Sequence, residues 1–118
     1  MASLQRVFIV EDEVLVGMVL EDMLDLLGHR VVGNCANLTE AESIAAIGNF
    51  DLAIVDVHVG SEPVFPLADR IIAAGKPLIF ATGSSSGSLP ERFRSVQVLE
   101  KPYAFAAVEA ALASLVLA

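Results

Sequence analysis

Four apolar segments of this 118-residue chain each end at polar side chains of types that can bind a metal ion and a phosphoryl group. Glu11 and Asp12 follow residues 6–10, Asp56 follows residues 52–55, and Thr82 follows residues 77–81. The last segment, residues 96–99, is followed by Glu100 and Lys101. Three carboxylates packed together repel one another and raise the pKa of at least one, unless a cation lies among them. Oxygen ligands without clustered His or Cys favour Mg²⁺ over zinc. A lysine can offset the charge of a phosphoryl group and a hydroxyl can donate to it, so the set indicates a phosphoryl site.

The segments that carry these residues have the pattern of buried parallel strands. The unbroken apolar run of residues 52–55 is typical of a strand covered on both faces. Five such strands alternating with helices predict one parallel sheet, in a flavodoxin-like, doubly wound α/β fold of order 2-1-3-4-5. The carboxyl ends of its strands meet at one edge, where the polar residues would gather. The predicted strands are residues 6–10, 30–33, 52–56, 77–82 and 96–99, and the predicted helices are residues 14–27, 39–48, 65–74 and 103–117.

Two local signals refine the helix assignment. Thr39-Glu40-Ala41-Glu42 matches a capping box and predicts the start of the second helix. Three serines between Gly83 and Gly87 favour a loop, so we expect a short or mobile fourth helix, limited to a turn or two within residues 90–95.

Composition excludes several classes of protein. With 15 acidic and 7 basic residues, the net charge of −8 argues against nucleic-acid binding. No apolar run reaches the ~18 residues of a membrane span, and the first residues lack the pattern of a secretory signal, so we expect a cytoplasmic protein. Cys35 is the only cysteine, which rules out a disulfide framework within the chain and a cysteine metal cage, and a zinc site formed by His29 and His58 is not expected.

Several features allow two interpretations from sequence alone. Asp56, taken by itself, could simply end a strand and cap a turn. The helix at residues 14–27 is apolar nearly all round, which suits either a docking surface or a helix wedged between sheet and neighbouring helix. The last predicted helix has a nearly all-apolar face over residues 104–118, which could form a partner or homodimer surface, or its alanines could pack on the sheet. Tyr103 is expected to be a surface ring that anchors this helix.

Taken together, these residues resemble the receiver domain of bacterial response regulators, the CheY-like family of two-component signalling. The resemblance spans the whole chain, so residues 1–118 are expected to be a single receiver domain with no output domain. Phe80-Ala81-Thr82-Gly83 also resembles the subgroup named for a Phe-Ala-Thr-Gly-x-Tyr motif, which has an irregular fourth helix. That likeness implies a sensor histidine kinase of the HWE or a related type.

The resemblance implies a role for each site residue. Asp56 would accept a phosphoryl group from a kinase or a phosphotransfer protein, without the chain being an enzyme for other substrates. Asp12 and Asp56 would bind Mg²⁺ directly, or Mn²⁺ in its place, and Glu11 would bind it through water. The backbone carbonyl of His58 would complete the protein ligands. Thr82 and Lys101 would contact the phosphoryl oxygens, and the Lys101–Pro102 bond would be cis. The output would be contact with a downstream protein, or removal of phosphate from a shared kinase, with no nucleic acid or membrane involved.

The sequence departs from the family at two places. The family often has an aromatic switch residue three positions before the lysine, where this chain has Val98, and the subgroup's tyrosine is replaced within Ser84-Ser85-Ser86. We therefore hypothesise that phosphorylation orders the serine-rich loop instead. The alternative is a phosphorylation-independent interaction module that keeps the receiver fold. A small phosphohydrolase ranks last, because Asp56 lacks a second acid two residues later and the chain has no room for a cap.

Overall fold

A five-stranded parallel sheet forms the centre of the molecule. The computed structural model describes residues 4–60, 62–83 and 89–117, with side chains as far as residue 115. Its strands are β1 Arg6–Val10, β2 Arg30–Cys35, β3 Leu52–Asp56, β4 His58–Val59, β5 Glu62–Pro63, β6 Leu78–Thr82 and β7 Gln97–Glu100. The central sheet has the order β2-β1-β3-β6-β7, while β4 and β5 form a separate antiparallel hairpin. Counting only the central strands, this is the predicted order 2-1-3-4-5, and the predicted fold is confirmed.

Helices cover both faces of the sheet, as the buried strands require. The helices are α1 Val14–Leu26, α2 Leu38–Ile47, α3 Phe65–Ala73 and α4 Phe105–Leu117. Leu20 and Leu24 of α1 pack with Val108 and Leu112 of α4 on one face. α2 and α3 cover the opposite face with a second apolar cluster. Every residue of β3 is buried, which explains why its sequence shows no alternation of polar and apolar residues.

The capping-box prediction for α2 was wrong. Asn37 is the N-cap, since its side-chain Oδ1 accepts a hydrogen bond from the Glu40 N–H at 2.9 Å. Asn caps a helix as well as Ser or Thr does, so the helix starts two residues earlier than the capping box implied. Thr39 lies inside the first turn instead.

The link between β6 and β7 has little helix, as predicted. Within its described residues, the helical structure is the 3₁₀ turn Glu91–Phe93. Phe93 is buried and meets Phe80 of β6 edge-on at 5.2 Å between ring centroids, while Phe65 of α3 stacks on it at 5.5 Å. These three rings tie the 3₁₀ turn to the sheet and to α3. The proposed ordering of the serine-rich loop concerns residues 84–88, which lie outside the described residues.

The helices α1 and α4, each of which allowed two interpretations from sequence, differ in how many of their large apolar side chains are exposed. On α1, large apolar side chains reach solvent: Leu15 is 76% exposed and Met18 is 53% exposed. On α4, Val108, Ala111 and Leu112 are buried, and Phe105 is the one large apolar side chain among its described residues that is exposed. Of the alanines of α4, Ala111 is buried, whereas Ala106, Ala107 and Ala110 are exposed, so the second interpretation, that the alanines pack on the sheet, was wrong for most of them. Among the described residues, no helix is both long and apolar enough to cross a bilayer.

Candidate phosphoryl and metal site

The carboxyl ends of β1, β3, β6 and β7 bring the predicted polar residues to one cleft. The cleft has a volume of about 580 Å³, and its walls include Asp12, Asp56, His58, Gly60, Thr82 and Lys101. Glu11 is only 3% exposed, and its carboxylate lies near those of Asp12 and Asp56. The fold thus gathers the acidic pair, the lone aspartate, the threonine and the lysine, although they are spread over 90 residues of sequence.

Lys101 is shared between two buried carboxylates. Its Nζ donates to Oδ2 of Asp56 at 2.8 Å and to Oε1 of Glu11 at 3.2 Å. Burial lowers the pKa of Lys101, but the hydrogen bonds and charges of Asp56 and then Glu11 outweigh burial, and the net pKa is raised. The ammonium therefore stays charged and partly compensates the two negative groups.

The negative charge of Glu11 is unfavourable in its buried position. Burial raises its pKa to about 7, and the negative charge of Asp56 adds to the increase. The backbone N–H of Glu13, which donates to Oε2 of Glu11 at 3.1 Å, and the ammonium of Lys101 oppose that effect. One lysine cannot neutralise this acidic group completely, and a divalent cation would reduce the remaining repulsion.

The carboxylates fit a hard cation. Glu11, Asp12 and Asp56 each offer one oxygen, and these oxygens lie within 4.8 Å of one another. Two oxygens on opposite sides of a Mg²⁺ ion would be roughly 4.2 Å apart, twice the ~2.1 Å Mg–O distance. Small side-chain movements would therefore close these oxygens around such an ion.

The segment after β3 faces the same carboxylates with its backbone. The His58 N–H donates to Oδ1 of Asp56 at 3.2 Å, and the Gly60 N–H donates to Oδ2 of Asp12 at 2.8 Å. The imidazole of His58 itself is exposed. On the other side of the cleft, the Lys101 backbone N–H donates to the Thr82 carbonyl at 2.9 Å, and the Lys101–Pro102 peptide bond is cis.

Sequence reasoning missed two residues of this region. Gly60 was assigned only to a loop, because a backbone N–H leaves no signature in the sequence. Tyr103 was expected at the surface, but it is only 9% exposed, and burial and the negative charges of Glu11 and Asp56 raise its pKa. An aromatic residue directly after a Lys-Pro pair at a strand end was the signal that could have indicated burial.

A doubly wound sheet of this order, with an acidic cluster, a threonine and a lysine at its carboxyl edge, defines the receiver class of signalling domain. Comparison with known proteins shows that the chain belongs to the response-regulator receiver family. SdrG from Sphingomonas melonis Fr1 is 40% identical in sequence, and its solution structure superimposes with a TM-score of 0.86. The alignment covers 98% of each of the two chains.

Two further relatives agree with this family. The signal receiver domain of a modulated diguanylate cyclase from Desulfovibrio desulfuricans G20 is 30% identical, with a TM-score of 0.85, over 98% of this chain and 95% of that one. The transcriptional regulatory protein PdtaR from Mycobacterium tuberculosis is 34% identical over 106 residues, which cover 84% of this chain. The match spans only 50% of PdtaR, so this chain corresponds to about half the length of that regulator. No protein-family model matches the chain.

Proposed function

We propose that this chain is a phosphoacceptor receiver in which Asp56 takes a phosphoryl group from the phosphohistidine of a kinase or phosphotransfer protein. The observation that carries the proposal is the placement of Asp56: its carboxylate lies in the cleft, 2.8 Å from the Lys101 ammonium and close to Glu11 and Asp12. A merely structural aspartate at a strand end would not need an ammonium and two further acids around it.

The chemistry follows from groups that surround Asp56. A carboxylate oxygen of Asp56 attacks phosphorus, the bond from phosphorus to the histidine nitrogen breaks, and its electron pair leaves with that nitrogen, which takes a proton from solvent. The product on this chain is an acyl phosphate. The Lys101 ammonium offsets phosphoryl charge, and the Thr82 hydroxyl donates a hydrogen bond to a phosphoryl oxygen.

The acidic cluster supports a role for Mg²⁺, or Mn²⁺ in its place. Glu11, Asp12 and Asp56 would hold the ion together with the backbone carbonyl of His58. A bound divalent ion supplies positive charge that neutralises the incoming phosphoryl oxygens. Glu11 also gains from the ion, because its buried charge is otherwise only partly compensated by Lys101.

The apolar side of α1 supports a histidine-bearing partner that docks beside the cleft. α1 begins at Val14, directly after the acidic residues, and Val14, Leu15 and Met18 are all more than half exposed there. With a cognate kinase as donor, Leu15→Ser should slow phosphorylation, whereas with acetyl phosphate it should not. Equal rates from the kinase for both proteins would contradict this docking role.

The motif Phe80-Ala81-Thr82-Gly83 supports assignment to the Phe-Ala-Thr-Gly-x-Tyr subgroup, and with it a kinase of the HWE or a related type. We place the protein in cytoplasmic two-component signalling. Its output is contact with a downstream protein, or withdrawal of phosphate from a kinase that serves several receivers.

Intact mass after incubation with acetyl phosphate and Mg²⁺ tests the proposal. The wild-type chain should gain one phosphoryl group, and Asp56→Asn should gain none. Asp51→Asn is the matched control, since it makes the same chemical change at the opposite end of β3, where Asp51 pairs with Arg6. Phosphorylation of Asp56→Asn at the wild-type level would refute the assignment of Asp56.

A further inference from the structure

Gly60 contacts the acidic cluster through its backbone rather than a side chain. It lies at the tip of the β4–β5 hairpin and donates its N–H to Oδ2 of Asp12 at 2.8 Å, across 48 residues of sequence. Its φ of +63° belongs to the left-handed region, which glycine adopts without steric cost. The chain therefore uses a special backbone conformation at the point where it meets Asp12.

The hairpin that carries Gly60 is anchored firmly to the core. Val57, Val59 and Val64 are each at most 4% exposed. The Val57 N–H donates to the Ala81 carbonyl at 2.9 Å, and the Val64 N–H closes the base of the hairpin on the Val57 carbonyl at 3.4 Å. Gly60 thus follows a segment whose apolar side chains are buried and whose backbone is hydrogen-bonded to β6.

The orientation of the Asp12 carboxylate depends on its hydrogen bond with Gly60, because Asp12 has fewer hydrogen-bond partners than Glu11 and Asp56 do. Glu11 and Asp56 are each held by Lys101 and by a backbone N–H. Within residues 4–60, 62–83 and 89–115, the Gly60 N–H is the only group that hydrogen-bonds the Asp12 carboxylate. Without it, an accessible aspartate would sample several rotamers, and binding a cation would have to order it.

We propose that Gly60 is a positioning residue, whose backbone N–H fixes the Asp12 carboxylate in the orientation that a divalent cation requires. The bond occupies Oδ2 and leaves Oδ1 available to a metal ion. Hydrogen bonds to metal-binding carboxylates typically raise metal affinity by roughly 10–100-fold. The inference rests on the proposed Mg²⁺-dependent function, and it accounts for a glycine with positive φ at the tip of this hairpin.

Substitutions at Gly60 can separate backbone geometry from crowding, because a Cβ added there would meet nothing within 4 Å. Gly60→Asn keeps the N–H, and Asn tolerates the left-handed conformation. Gly60→Ala keeps the N–H but disfavours that conformation. Gly60→Pro removes the N–H and fixes φ at a negative value. Gly75→Ala is the matched control: Gly75 also has a positive φ of +79° and open space around its Cβ position, but it follows α3, away from the carboxylates.

The test is calorimetric titration of each folded variant with MgCl₂, without any phosphoryl donor. We expect Gly60→Asn to bind Mg²⁺ within about twofold of wild type, Gly60→Ala to bind a few-fold more weakly, and Gly60→Pro to bind roughly tenfold or more weakly. Gly75→Ala should lower the midpoint of urea unfolding about as much as Gly60→Ala does, with unchanged Mg²⁺ affinity. A merely structural role for Gly60 would instead make the two alanine variants alike in both measurements.

Wild-type affinity in folded Gly60→Pro would overturn the inference and leave the proposed function standing. If the proline variant does not fold, Gly60→Ala decides: an affinity equal to that of Gly75→Ala overturns the inference. A wild-type chain that binds no Mg²⁺ would overturn the proposed function itself, together with this inference. As an independent readout, the Gly60 amide proton should shift upfield in Asp12→Ala, because it loses its acceptor, and an unchanged shift would count against the contact.

Discussion

Glu11→Gln should change how the stability of the metal-free protein depends on pH. Burial raises the pKa of Glu11 from 4.5 to about 7 in the folded chain. Between these values the unfolded chain releases a proton that the folded chain retains, so the contribution of Glu11 to stability is greatest below pH 4.5 and is lost as pH rises towards 7 and above. At ~1.4 kcal/mol per pH unit, the interval corresponds to a loss of about 3 kcal/mol. A glutamine cannot ionise and avoids this loss.

Urea unfolding between pH 4.5 and 8, in EDTA, measures the effect. The difference in unfolding free energy between Glu11→Gln and wild type should grow by about 3 kcal/mol in favour of the variant across this range. His29, whose pKa is lowered by burial, weakens the fold as pH falls below 6.5, but it is present in both proteins and cancels in the difference. Glu109→Gln, at an exposed position of α4, controls for the loss of one negative charge.

A difference between Glu11→Gln and wild type that stays constant with pH would refute the reasoning. It would mean that the positive charge of Lys101 fully compensates the negative charge of Glu11, and that the acidic cluster gains no stability from a bound cation. Addition of Mg²⁺ gives a second check, since it should stabilise wild type at pH 8 more than it stabilises Glu11→Gln.

Three further predictions concern stability measured by urea unfolding. Lys101→Met leaves two buried carboxylates without their ammonium, so it should cost about 3–5 kcal/mol at pH 8 in EDTA, and less with Mg²⁺ present. Phe93→Ala removes a buried ring that contacts two others and should cost about 3–5 kcal/mol, whereas a cost below 1 kcal/mol would show that the aromatic cluster does not hold the 3₁₀ turn. Asp51→Asn should destabilise the chain at pH 7, because hydrogen bonds from Arg6 lower the pKa of Asp51. That difference should shrink as pH falls towards 3, and a constant difference would contradict this assignment.

Much of the fold was predictable because its strands are buried on both faces. Apolar runs such as residues 52–55 and 78–81 mark central strands directly, and the glycines after α2 and α3 mark helix ends. The start of α2 was misplaced because the side chains of Asn37 and Thr39 can both cap a helix N-terminus, and only the backbone geometry decides which of them does so. The β4–β5 hairpin was missed since two-residue strands carry no periodic pattern.

The part of the site that consists of side chains at strand ends was predictable from the sequence. Glu11, Asp12, Asp56, Thr82 and Lys101 each follow an apolar run, and the topology alone brings them to one edge. Interactions that depend on distance could not be read from the sequence: the sharing of Lys101 between two acids, and the amide of Gly60 beside Asp12. The burial of Tyr103 was also missed, because its exposure depends on how α4 docks against the sheet.

The buried Tyr103 gives the protein an intrinsic fluorescent probe. The chain has one tyrosine and no tryptophan, so its intrinsic emission near 300 nm comes from Tyr103 alone. The charges of Glu11 and Asp56 act on this ring, and any ligand that neutralises them alters its surroundings. Fluorescence of the unlabelled chain therefore offers a test of the proposed cation binding and phosphorylation, without an added dye that would perturb the cleft.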